Sequence, residues 1–149
     1  MNRFFLLFFL LFDLYSYAAN QSIWNYQYSF NLKKDKIATV YISRQQKSEK
    51  KRDTRYLLKF RWTLYDGSKN LFVFLNYMGH PNQYILKKER HLDRIRIKLL
   101  PDGRDYNGKT YAVMVFANFD DKKRVATMEI YIKDEMKRVK VEFKPPKEK

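Results

Sequence analysis

The chain contains no cysteine. That excludes disulfides, thiolate metal ligands, a thiol nucleophile and a lipid-modified cysteine. Glycine and proline number four each. A phosphate-cradling loop gathers several glycines in a few residues, and no such cluster occurs. No serine stands in a nucleophile-elbow context. Histidine is limited to His80 and His91, and a zinc site wants three or four ligands. His80 falls in a turn and His91 in a charged stretch, so both read as structural or solvated. Acidic residues are also scarce. The 149 residues carry Lys+Arg 31 against Asp+Glu 16, a formal net charge of +15. The longest apolar run, Phe4 to Phe12, falls short of the ~20 residues that a spanning helix needs.

That short run has a different reading. Arg3 precedes it, Asp13 ends it, and Ser16-Tyr17-Ala18 supplies small residues where a signal peptidase cuts. The expectation is a cleaved signal peptide over 1–18 and a periplasmic or secreted protein. Cleavage removes Arg3 and Asp13, one charge of each sign, and leaves the side-chain charge at +15. An exported chain without cysteine must rely on packing alone.

What is plentiful is apolar and aromatic: 45% hydrophobic and 17% aromatic residues. That is too much for a disordered chain, and the length suits one domain. A chain of this size buries roughly two-thirds of its unfolded surface. Lysine and tyrosine have AT-rich codons, so genome composition supplies part of the charge.

The dominant period is two, the signature of strands. Trp24, Tyr26, Tyr28, Phe30 and Leu32 alternate with polar residues, which predicts a strand with an aromatic core face. Ile37–Ser43 and Tyr56–Leu64 predict two more. Leu71–Tyr77 and Thr110–Phe119 are apolar on both parities and read as central strands. Gln83–Lys87, Arg94–Leu99, Val125–Lys133 and Val139–Phe143 complete the set. Asp66-Gly67-Ser68, Pro101-Asp102-Gly103, Asn107-Gly108 and Asp120-Asp121 read as turns. Asp102, Asp105, Asn107 and Gly108 do not fit a calcium loop, because Gly103 and Met114 fall where ligands belong. Eight or nine strands with turns between them predict an all-β antiparallel sandwich over 19–143. A basic tail at 144–149, with two prolines, is expected to be flexible.

Gly108-Lys109-Thr110-Tyr111-Ala112-Val113 resembles the tyrosine corner of immunoglobulin-like sandwiches. Trp62 falls on the strand where that family places its core tryptophan. The resemblance implies an immunoglobulin-like sandwich of eight or nine strands in which Val113 fills the core position often held by cysteine.

Nothing in the chain assembles a catalytic constellation. The expectation is a non-enzymatic protein with no cofactor and no metal. The charge is placed locally instead. Residues 44–55 and 87–98 each carry net +4. Lys50, Lys51 and Arg52 sit in the first; Lys87, Arg94, Arg96 and Lys98 sit in the second. Arg94, Arg96 and Lys98 share one face of a strand, and such a ladder calls for a counter-charge. These seven residues are the expected binding set. The partner would be a protein in a bacterial envelope assembly, with the chain acting as adaptor or accessory subunit. An anionic lipid head group, a glycan or another polyanion is the alternative. Nucleic acid is disfavoured: no recognition module occurs, and the aromatic stripe reads as core rather than as a stacking platform.

Overall fold

The computed structural model describes residues 23–45, 55–89, 91–100 and 109–147. The expected signal peptide at 1–18, Lys50, Lys51, Arg52 and the turns expected within 101–108 lie outside the described residues.

Nine strands form among the described residues: β1 (Tyr26–Lys33), β2 (Ala38–Arg44), β3 (Arg55–Tyr65), β4 (Asn70–Tyr77), β5 (His80–Lys87), β6 (Arg94–Lys98), β7 (Thr110–Asp120), β8 (Val125–Asp134) and β9 (Val139–Lys144). They make two antiparallel sheets, ordered β1-β8-β7-β6 and β5-β4-β3-β2-β9. The alternating apolar residues of each strand point into one shared core. Leu58, Phe60, Trp62, Val73, Ala112, Met114, Met128 and Ile130 are buried there.

Aromatic contacts join the layers. The Phe30 and Phe60 rings meet edge-on at 5.3 Å between centroids, and Tyr65 stacks on Phe119 at 3.8 Å. Trp62 Nε1 donates to the Leu32 carbonyl at 2.7 Å inside the core. A buried N–H needs such a partner. Asp134, only 1% exposed, seals the β8–β9 crossover. Its carboxylate accepts from Thr110 Oγ1 at 3.2 Å and from the Val139 N–H at 2.8 Å.

The hairpins follow from local chemistry. Met78 and Gly79 both have positive φ, at 55° and 83°. Tyr77 pairs with His80 across them, so the two residues form the tight turn whose twist suits a hairpin. Strand β5 therefore starts at His80 rather than Gln83. Its Pro81 is tolerated because β5 is an edge strand. In the next turn back, Asp66 Oδ1 accepts from the Ser68 and Asn70 N–H groups at 3.0 and 2.9 Å.

Strands β4 and β7 are interior, each paired on both sides. Each still buries only one parity. Ala112, Met114 and Phe116 face the core on β7, while Tyr111 and Val113 face outward. Val113 is therefore not the core position that the tyrosine-corner resemblance implies. Strict alternation in a two-layer sandwich leaves room for one face only. The aromatic stripe of β1 is corrected likewise. Phe30 and Leu32 are buried, but Tyr28 is 38% exposed. Because β1 is an edge strand, Tyr28 wraps the side of the sandwich and stacks on Phe143 at 5.2 Å.

Candidate functional site

The outer face of the four-stranded sheet gathers the charge and the misplaced aromatics. Its cross-strand rows follow from register. Arg94, Val115, Glu129 and Ser29 form one row; Arg96, Val113, Tyr131 and Gln27 the next; Lys98, Tyr111 and Lys133 a third. Strand β6 is thus a basic margin, and β7 beside it is neutral. The counter-charge expected for the ladder is not on the neighbouring strand.

Each basic residue of the margin has its own setting. Arg94 Nε donates to the Asp93 carboxylate at 2.9 Å and its Nη2 at 3.3 Å, a two-pronged contact. This hydrogen bond holds the Asp93 carboxyl below the usual carboxylate range and raises the guanidinium pKa. The Arg96 guanidinium lies 3.9 Å from the centre of the Tyr111 ring, a cation–π contact. Lys98 is exposed at the end of the strand.

Trp24 is the residue that sequence reasoning misplaced. Its parity predicts the core. Instead residues 23–25 continue beside β8 with Trp24 on the outer face: the Asn25 N–H donates to the Ile132 carbonyl at 2.9 Å, and Lys133 Nζ donates to the Ile23 carbonyl at 2.9 Å. Trp24 then meets Tyr131 at 5.4 Å and Tyr111 at 6.0 Å, edge-on to the latter. Tyr131 Oη donates to Glu129 at 2.5 Å. That bond, then burial and the carboxylate charge, raise the Tyr131 phenol above its usual range. Gln27, Ser29, Glu129 and Tyr131 border a shallow groove of about 370 Å³ next to this cluster. No local signal marks Trp24, because its placement depends on contacts from β7 and β8.

Lys87 does not join the margin. It lies on β5 in the other sheet, and its N–H donates to the Leu92 carbonyl at 3.0 Å. The five-stranded sheet carries a separate apolar patch, where Leu64, Phe74 and Ile85 are 49%, 39% and 53% exposed. Leu64 and Ile85 flank Phe72 in one cross-strand row. Arg61 lies over the Phe74 ring at 5.7 Å.

Among the described residues, no three His, Asp or Glu side chains group as metal ligands would. No helix among them is long and apolar enough to cross a membrane. Comparison with protein-family models, curated proteins and solved structures finds no match.

Proposed function

We propose that the protein is an exported, non-enzymatic docking protein, periplasmic or secreted. It serves as an adaptor or accessory subunit of a bacterial cell-envelope assembly. The observation that carries this reading is the outer-face cluster of Trp24, Tyr111, Tyr131 and Arg96. Tryptophan, tyrosine and arginine are the residue types that dominate binding hot spots. Here they lie on a rigid sheet face, with Arg96 and Trp24 already ordered on Tyr111. Ordering before contact lowers the entropy cost of association.

Export rests on the three-part leader at 1–18. The immunoglobulin-like class is the finer architectural reading. Two antiparallel layers and a buried Trp62 on the third strand support it. The family shares a sandwich architecture across differing strand connectivities. Here β2 to β5 run as consecutive neighbours.

The Arg94, Arg96 and Lys98 ladder favours a second reading, direct capture of an anionic lipid head group, glycan or other polyanion. Salt separates the two. Polyanion binding collapses as salt rises, whereas a hot-spot interface fails when its anchor is truncated. The test is cross-linking in the host envelope with native protein and Tyr111→Ala. Recovery of one stoichiometric protein with the native form, lost in the variant, is the expected result. Recovery of anionic glycan or lipid alone overturns the adaptor.

A further inference from the structure

Strand β6 ends the four-stranded sheet, and among the described residues no strand pairs its outer side. Its hydrogen bonding to β7 can be assigned by parity. The Leu99 N–H donates to the Thr110 carbonyl at 3.1 Å, and the Phe116 N–H donates to the Asp93 carbonyl at 2.8 Å. Both bonds join directly opposite residues. An antiparallel ladder alternates hydrogen-bonded and non-bonded pairs. The odd-numbered residues of β6 therefore turn their backbone groups toward β7. The even-numbered residues turn theirs toward the outer edge. Arg94 and Lys98 thus present backbone donors and acceptors at the edge and basic side chains on the outer face.

A strand laid along this edge would place every second residue directly opposite Arg94, Arg96 and Lys98, on the same face. The side chains in that row repeat at about 7 Å. The alternate residues of the incoming strand would point inward beside Ile95 and Ile97. Those two are 8% exposed, the most exposed members of the core. The edge thus asks for apolar residues below and anionic residues above. A second copy of β6 cannot meet that demand, since it would set cation against cation.

From this geometry we infer that β6 receives an extended acidic segment of a partner protein as an added strand. The segment carries Asp or Glu at every second position and apolar residues between. This rests on the docking role proposed above and gives its partner a chemistry. Backbone hydrogen bonds supply affinity, and the carboxylate row supplies register. Arginine suits the task because its planar fork matches a carboxylate, as Arg94 does already with Asp93.

The test uses protein purified from its host and two short capped peptides of the same composition. One alternates glutamate with valine; the other groups its glutamates in a block. Strand addition predicts about tenfold tighter binding of the alternating peptide, with slowed amide exchange at Arg94 and Lys98. Lys98→Glu should weaken binding of that peptide, because it sets a carboxylate against a carboxylate in the row. Circular dichroism checks that the variant is folded. Equal binding of both glutamate peptides overturns the inference and leaves a general polyanion surface. Binding of neither also overturns it, while a protein cross-linked through the Tyr111 face would still sustain the adaptor role.

Discussion

Single side chains hold the layers in register, and two of them give measurable handles. Trp62 fills the core and bonds across the sandwich to the Leu32 carbonyl. Trp62→Phe keeps most of the ring volume and strands that carbonyl. The expected loss is about 1–3 kcal/mol, read as a lower urea midpoint with an unchanged slope. Trp62→Ala adds a cavity and should cost roughly 3–5 kcal/mol. The second handle is Tyr26, whose Oη donates to the Val139 carbonyl at 2.8 Å. Burial, and then the Asp134 charge, raise its phenol above the ordinary value. A raised folded-state pKa contributes stability that is complete below the unfolded value, about 10. That contribution is lost as pH climbs through the folded value. Urea midpoints measured up the alkaline limb should therefore fall, and Tyr26→Phe should fall less steeply. Tyr65 and Tyr131 are raised as well, so the variant keeps part of the slope.

At the scale of elements, the inferred direction of the β6 backbone groups separates two proline variants. Ile97→Pro removes a ladder donor facing β7, leaves a carbonyl of β7 unpaired and should destabilise the sheet by about 1–3 kcal/mol. Lys98→Pro removes a donor that faces the edge. It should leave the urea midpoint close to native and abolish binding of the alternating glutamate peptide. Loss of both properties in both variants would contradict the inferred parity. The strands themselves were legible in the sequence. Period-two runs such as Tyr56–Leu64 and Val125–Lys133 name most of their inward residues because one face of each must meet the core; Leu64 is the exception, since a register shift after Trp62 sets it opposite Phe72 on the outer face, 49% exposed. What the sequence hid is longer in range. Phe72, Phe74, Val113 and Val115 look like second-layer core, yet they stand on outer faces. Local pattern records that a strand is interior, not whether anything covers its far side. Met78-Gly79 reads as a break in the chain, although both residues take the φ values of a two-residue hairpin. Of the seven expected binding residues, Arg94, Arg96 and Lys98 come together, Lys87 goes to the other sheet, and Lys50, Lys51 and Arg52 lie outside the described residues. The aromatic half of the surface was missed because Trp24, ahead of β1, lies on the outer face against its parity.

At the scale of the whole molecule, a net charge of +15 repels itself more when folded than when expanded. The ion pairs Arg61–Asp35 and Arg124–Asp121 are exposed and 3.9 Å apart, a weak counterweight. Raising salt from a few millimolar to ~0.15 M shortens the screening length to about 8 Å. The melting temperature should rise with it, and a fall would mean that attractive pairs outweigh the repulsion. The strand order has a temporal consequence. Strand β1 pairs with β8, and β2 pairs with β9. Strand β1, made before β2 to β7, waits for β8. Strands β2 to β5 can pair among themselves, but the apolar face they share has no cover until β7 and β8 arrive. A nascent chain of this order stays open until β8 and β9 have been made. Machinery that threads chains through a membrane in the unfolded state would meet this one before it had closed.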